Sequence, residues 1–270
     1  MRRGEPLTPL PPAQPNQITP RPGWVARLGG AILFYTKLPL PPGWRPRFEG
    51  IAPLAPVVGL GLGVGLVGVD LALERLGTPP LIRSALVIGL VVWLTGGLHL
   101  DGAMDTADGL AVMDPQRRLA AMADSHSGAF GVMAAIAILG LKTLALAELG
   151  SGRGWVLVAA MVWGRWGQVV AIARYPYLRA EGKGALHREH RRSPQDWLLG
   201  LGLALALHGL WVWRSPHQLA LVGITLLGGL GFSLALGAWL NRRLGGHTGD
   251  TYGATVEWTE TLLLCLATLA

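Results

Sequence analysis

Long apolar runs separated by shorter polar segments dominate the chain from residue 24 onward. A helix that crosses the hydrocarbon core of a membrane needs roughly 20 consecutive, mostly apolar residues. Seven runs approach that length: residues 51–73, 81–100, 129–149, 155–173, 197–213, 219–240 and 254–270. The pattern therefore predicts an all-α, polytopic integral membrane protein with about seven transmembrane helices.

The N-terminal part departs from this pattern in two ways. The apolar piece Trp24–Tyr35 contains Arg27 and is too short to cross a membrane, so we predict an interfacial or re-entrant helix. Residues 1–23 hold seven prolines, which block helix propagation, and they include no apolar segment typical of a signal peptide. We expect a disordered tail over residues 1–23 and a single helical membrane catalytic domain over residues 24–270.

Composition and charge placement support a membrane protein. Only 14% of the residues are charged, against about 25% in soluble domains. If the tail is cytoplasmic and seven spans alternate, the tail and the loops on its side carry 17 of the 23 Lys and Arg residues, and the opposite side carries four. This asymmetry follows the positive-inside rule, so the formal charge of +7 does not indicate nucleic-acid binding. Cys265 is the only cysteine, which excludes an internal disulfide.

Three carboxylates follow abruptly where one apolar run ends. On a helix, Asp101, Asp105 and Asp108 fall within an arc of about 60°. Carboxylates this close raise one another's pKa unless a cation lies between them, and magnesium prefers oxygen ligands. The spacing therefore predicts a divalent metal site at the membrane surface. Asp124, later in the same loop, either caps the next helix or completes the metal shell, and Asp114 before Pro115 is typical of a helix start.

Basic residues offer candidate phosphate contacts. Arg174, Arg179 and Lys183 lie in one glycine-containing loop, and arginine matches phosphate oxygens two at a time. The alternative is a positive-inside loop that needs no ligand. Arg165 lies within a predicted span, where a charge is costly and usually faces a partner or a cavity.

The last polar loop carries a second group of acids. It contains His247, Thr248 and Asp250, and Glu257 and Glu260 follow at a spacing that places both on the helical face of Asp250. Unpaired acids at the membrane side of a span are expensive, so metal, substrate or Arg165 are expected neighbours.

Six blocks together resemble the adenosylcobinamide-GDP ribazoletransferase family, also called cobalamin-5′-phosphate synthase. The blocks are residues 34–39, 96–109, 124–131, 164–166, 175–184 and 245–260. Their order and spacing make the resemblance specific and extend it over most of residues 24–270. Two departures are the proline-rich extension and His126, where arginine is expected in the family.

The resemblance implies an enzyme of the final nucleotide-loop assembly of cobalamin (vitamin B12). A ribose hydroxyl of α-ribazole, or of its 5′-phosphate, would attack the cobinamide-linked phosphate of adenosylcobinamide-GDP and release GMP. Mg²⁺, or Mn²⁺, is the expected cofactor. The expected location is the plasma (inner) membrane of a prokaryote, with the active-site loops cytoplasmic, and a homo-oligomer is left open.

The spacing arguments and the resemblance together predict a set of candidate site residues. The catalytic acids are Asp101, Asp105, Asp108, Asp124 and Asp250, and the first four of these are the predicted metal ligands. The candidate substrate contacts are His99, Ser125, His126, Arg165, Arg174, Arg179, Lys183, His247, Thr248, Glu257 and Glu260.

Two other functions remain open from the sequence. CDP-alcohol phosphotransferases also place aspartates at a membrane face, but their usual Asp-Gly followed by Ala-Arg does not match Asp101-Gly102-Ala103-Met104. A cation-coupled transporter would use acids near the membrane midplane, whereas most of these acids cluster at one face.

Overall fold

The computed structural model describes residues 23–179 and 195–270, and the regular elements there are helices. We number the α-helices in chain order. They are α1 (Trp24–Tyr35), α2 (Ala55–Arg75), α3 (Pro80–Thr95), α4 (Leu98–Ala111), α5 (Pro115–Ala121), α6 (Ala129–Glu148), α7 (Arg153–Arg174), α8 (Gln195–Arg214), α9 (Leu219–Leu244) and α10 (Gly249–Ala267). Short 3₁₀ turns at Ala52–Leu54 and Pro216–Gln218 precede α2 and α9.

Five segments are long and apolar enough to cross a membrane: Ala52–Arg75, Ala129–Glu148, Arg153–Arg174, Gln195–Arg214 and Pro216–Leu244. A sixth would be counted only if α3 and α4, which meet at 90°, formed one broken span. The polytopic all-α architecture is confirmed, while the predicted number of seven is not. The last predicted span becomes α10, which begins five residues before residue 254, at Gly249, and includes Asp250, Glu257 and Glu260.

The acid-bearing segment is a separate helix at the end of α3. The predicted span over residues 81–100 ends early, at Thr95, because Gly96 and Gly97 both adopt the left-handed conformation, with φ of 64° and 72°. Glycine adopts such angles without a steric penalty, so the chain turns sharply here. Helix α4 then runs at 90° to α3. We therefore place α4 outside the set of spanning helices.

Helix α7 is the central element of the bundle. The apolar stretch of this helix is completely buried, and α7 packs against α2, α8, α9 and α10. Trp163 and Met161 are fully enclosed in the largest apolar cluster. The helix fixes the positions of its neighbours, including α10, which carries part of the candidate site.

A buried ion cluster ties four helices together at the junctions of α2 with α3 and of α6 with α7. Asp70 of α2 accepts two hydrogen bonds from Arg153 of α7, at 2.9 and 2.8 Å, and lies 3.1 Å from Arg83 of α3. Arg153 also donates to Ser84 and to the carbonyl of Leu146 at the end of α6. The charges are therefore paired, and none of these groups is available as an isolated cation ligand.

Candidate active site

Helices α4 and α10 cross closely enough to bring two groups of acids together. A Cβ on Gly102 of α4 would lie 2.7 Å from the Asp250 carbonyl oxygen, and a Cβ on Gly253 of α10 would lie 2.7 Å from the carbonyl oxygen of His99. Real side chains do not tolerate such distances, so glycine is needed on both helices at the crossing. The contact places Asp250 beside the α4 segment that carries Asp101 and Asp105.

The segment that follows α7 and the segment that precedes α10 are joined by backbone hydrogen bonds. A parallel bridge pairs Tyr177 with His247. The His247 N–H donates to the Pro176 carbonyl and the Leu178 N–H donates to the His247 carbonyl, both at 2.8 Å. This bridge brings Arg179 to the start of α10. The segments that carry Asp101, Arg179 and Asp250 therefore meet at one end of the bundle.

His247 and Thr248 build this loop. The buried His247 ring contacts the Thr251 hydroxyl and the Gly237 carbonyl, each at 3.0 Å, and its ring stacks between Tyr175 and Tyr252. Burial lowers the pKa of His247 to about 4, so the ring is neutral near pH 7. Thr248 caps α10 through a reciprocal capping box with Thr251. Both residues were predicted as substrate contacts, and the structure gives them supporting roles in the loop.

Asp105 is the electrostatic centre of the candidate site. Its pKa is raised from 3.8 to about 6, first by partial burial and then by the negative charges of Asp101 and Asp250. Arg179 opposes this increase and lies 2.9 Å from an Asp250 carboxylate oxygen. The site thus combines three carboxylates and one guanidinium from separate parts of the chain. An excess of negative charge at Asp105 favours a bound cation.

Asp108 contacts the next helix. One carboxylate oxygen accepts the Gly128 N–H and the other accepts the Gly131 N–H, both at 2.8 Å. Asp108 therefore satisfies two unpaired N–H groups at the start of α6, where negative charge is also favoured by the helix dipole. Gly128 and Gly131 are the sequence feature that could have indicated this role. A Cβ on either residue would lie 2.4 Å from an Asp108 oxygen, so only glycine leaves room for the carboxylate.

The loop between α5 and α6 is exposed. Asp124 accepts the backbone N–H of His126 at 3.0 Å and contacts its ring at 2.7 Å, which lowers the pKa of Asp124. The interpretation of Asp124 as the cap of the next helix is wrong, because Asp108 performs that role. Ser125 and His126 are also exposed. Asp114 caps α5 by accepting the Gln116 N–H, as predicted.

Four buried charged groups lie between α6, α7 and α10. Glu260 accepts a hydrogen bond from Arg165 at 2.7 Å and one from Lys142 at 2.6 Å, and Glu257 accepts from Lys142 at 2.6 Å. The expectation that Arg165 neighbours the acids of the last helix is confirmed for Glu260. Lys142, which lies within the apolar run over residues 129–149, was not among the predicted site residues. The two positive and two negative charges balance within the bundle.

His99 lies two residues before Asp101 on α4, and the charges of Arg165 and Lys142 in the buried network act on it. The residue is 2% exposed, and within the described part of the chain neither ring nitrogen has a hydrogen-bond partner. Burial and the positive charges of Arg165 and Lys142 lower the pKa of His99 well below its ordinary value. His99 is therefore neutral, and a water molecule or a substrate group would be needed to satisfy its ring.

Within the described residues, no contact ties the two remaining basic candidates to the site, and no complete shell forms for the predicted metal ion. Arg174 is exposed at the end of α7, and Lys183 lies outside the described residues. Across residues 23–179 and 195–270, no three His, Cys, Asp or Glu side chains are arranged to hold one metal ion. The four predicted metal ligands therefore do not form a ready-made shell, although Asp101 and Asp105 remain adjacent to Asp250.

Comparisons with known proteins agree on one family. The family model described as cobalamin-5-phosphate synthase matches residues 27–268. A protein of Trichormus variabilis named adenosylcobinamide-GDP ribazoletransferase is 56% identical over 88% of this chain and 95% of its own length. Proteins with the same name from a Synechococcus species and from a Synechocystis species are 54% and 48% identical, over 87% and 88% of this chain and 93% and 92% of their own lengths. No solved structure matches the chain.

Proposed function

This chain belongs to the cobalamin-5-phosphate synthase family, and we propose that it is a magnesium-dependent adenosylcobinamide-GDP ribazoletransferase. In the reaction, a ribose hydroxyl of α-ribazole or its 5′-phosphate attacks the cobinamide-linked phosphorus. A new P–O bond to the ribose forms and the bond to the bridging oxygen breaks. GMP leaves with that oxygen and its electron pair, and the hydroxyl proton passes to a base.

The observation that carries the proposal is the convergence of Asp101, Asp105, Asp250 and Arg179 at one end of the bundle. Phosphoryl transfer depends chiefly on positioning the reacting groups and neutralising their charge. Arg179 is placed to contact a phosphate oxygen, because its partner Asp250 lies beside the acids of α4. Asp250, which is not assigned to the metal ion, is the carboxylate available to accept the hydroxyl proton.

The donor set fits a magnesium ion that is held partly by substrate. Magnesium is commonly bound by one or two carboxylates, with waters and substrate phosphates completing the octahedron. Asp101 and Asp105 supply such a pair. The pKa of Asp105 is raised first by partial burial and then by the neighbouring negative charges, which a cation would neutralise. When bound, the ion would stabilise charge on the diphosphate. Asp108 and Asp124 are not needed for this arrangement.

The alternative functions lack comparable support. The chain matches the cobalamin-5-phosphate synthase family over residues 27–268, which argues against a CDP-alcohol phosphotransferase. A cation-coupled transporter would need unpaired acids inside the bundle, but Asp70, Glu257 and Glu260 each contact a basic side chain there. We further propose that the protein lies in the inner membrane, and that α4, the segment after α7 and the segment before α10 face the cytoplasm.

The test is turnover by purified protein in detergent or liposomes. With adenosylcobinamide-GDP, α-ribazole and Mg²⁺, we expect equal amounts of GMP and of the cobalamin product. Asp105→Asn should lose at least a hundredfold in kcat, and Asp114→Asn is the matched control because asparagine retains the cap of α5. An inactive wild-type protein that is folded and supplied with both substrates would overturn the proposal.

A further inference from the structure

The segment that follows α1 lines a cavity that the chemistry above leaves unexplained. The cavity has a volume of about 550 Å³ and lies between this segment, the α3–α4 turn and the first turns of α4. Its walls include Phe34, Lys37, Thr95, Leu98, Asp101 and Met104. Asp101 belongs both to this cavity and to the acid cluster around Asp105. The cavity therefore adjoins the place where the phosphorus would react.

The position of Lys37 is fixed by its neighbours. Its backbone N–H donates to the Leu94 carbonyl at 2.7 Å, and Thr36 holds the turn by donating to the Ile32 carbonyl and accepting the Leu38 N–H. The Lys37 side chain crosses over Gly96, where an added Cβ would lie 2.7 Å from Lys37 Cε. The lysine is therefore directed along the α3–α4 turn, and its ammonium group provides positive charge at the cavity.

We propose that this cavity binds the guanosine monophosphate half of adenosylcobinamide-GDP, with the phosphate contacted by Lys37. This inference rests on the proposed function. Pockets of roughly 300–1,000 Å³ hold ligands the size of a nucleotide, whereas the corrinoid is too large for this cavity and must remain outside it. Phe34 supplies an aromatic wall suited to a planar base, and Lys37 supplies the charge for a phosphate.

The α-ribazole 5′-phosphate has the same general chemistry, a planar base on a ribose phosphate. The leaving phosphate is favoured because it is bonded through one oxygen to the reacting phosphorus, so its site must adjoin the acids. The 5′-phosphate of α-ribazole is not bonded to the reacting phosphorus and has no such requirement. The cavity meets the first condition because Asp101 forms part of its wall.

The experiment measures GMP in two ways, as a product inhibitor of turnover and as a directly titrated ligand of the purified protein. For Lys37→Met, we expect the GMP dissociation constant and the KM for adenosylcobinamide-GDP to rise about tenfold, because a charge-assisted hydrogen bond is lost. The KM for α-ribazole should not change, and Lys37→Arg should restore most of the GMP affinity. Arg45→Met is the matched control, because Arg45 is an exposed cation of the same segment that does not line the cavity.

Two results would overturn the inference. One is a GMP dissociation constant that is the same for Lys37→Met and wild type. The other is a rise in the KM for α-ribazole 5′-phosphate in place of the KM for adenosylcobinamide-GDP, which would assign the cavity to the attacking substrate. Direct GMP titration separates this inference from the proposed function, because GMP binding that depends on Lys37 would support the cavity even in a protein without turnover.

Discussion

Proton competition at Asp105 gives the sharpest test of the candidate metal site. Magnesium binds the ionised carboxylate, so protonation of Asp105 must weaken binding. The pKa of about 6 describes the carboxyl without a metal ion, which is the form for which proton and metal compete. Metal affinity should be nearly constant above pH 7 and should fall as pH decreases through 6.

The size of the effect follows from that pKa. With one competing proton, the apparent dissociation constant for Mg²⁺ should rise about twofold at pH 6 and about tenfold at pH 5, relative to pH 8. A carboxylate with an ordinary pKa near 4 would change by only about a tenth over the same range. Calorimetric titration of the purified protein with Mg²⁺ at these three pH values measures the constants without requiring turnover.

Two neighbouring charges should move this pH dependence in opposite directions. Asp250→Asn removes a negative charge that raises the Asp105 pKa, so the weakening at pH 5 should become smaller. Arg179→Met removes the charge that lowers it, so the weakening should begin at higher pH. Asp114→Asn should leave the profile unchanged. A dissociation constant that stays the same between pH 8 and pH 5 in the wild type would refute this assignment of Asp105.

Two further predictions concern structural roles. Asp108→Ala leaves the Gly128 and Gly131 N–H groups without their acceptor and should lower the free energy of unfolding by about 2 kcal/mol. Asp108→Asn keeps one acceptor oxygen and should cost about half as much. Equal thermal stability of both variants and the wild type would contradict the capping role. Lys142→Met leaves Glu257 as an uncompensated buried charge and should cost about 3–5 kcal/mol. Adding Glu257→Gln should recover part of that loss in a denaturation assay, and a further loss would count against the pairing.

Much of the fold could be predicted from hydrophobic periodicity because burial and membrane insertion select apolar runs. The runs at residues 129–149, 155–173, 197–213 and 219–240 all lie in helices that are long and apolar enough to cross a membrane, with small shifts at their ends. The run at 81–100 does not form one straight helix, because two left-handed glycines turn the chain at residue 96 and hydropathy does not register a change of direction. The glycine pair was visible in the sequence, but its conformation was not.

The candidate site was predictable in its residue types and only partly in their roles. Helical spacing correctly placed Asp101 and Asp105 on one helix. Asp250 and Arg179 were also predicted as site residues, and the structure places both near these two acids. The same spacing could not distinguish a metal ligand from a cap, so Asp108 was grouped with the metal ligands although it accepts two N–H groups from α6. That distinction depends on which helix starts nearby, and this is a tertiary contact.

The buried network explains how a surface site is held in place by groups inside the bundle. Helix α4 crosses α10 through Gly102 and Gly253, so any shift of α10 would move Asp250 relative to Asp105. The position of α10 is in turn fixed by Glu257 and Glu260, which bind Lys142 of α6 and Arg165 of α7. Isolated charges inside an apolar bundle are costly, so these pairs persist only in one alignment of the three helices. We therefore expect Arg165 and the two glutamates to act as positioning residues, so that changes to them lower kcat through the geometry of Asp105 and Asp250.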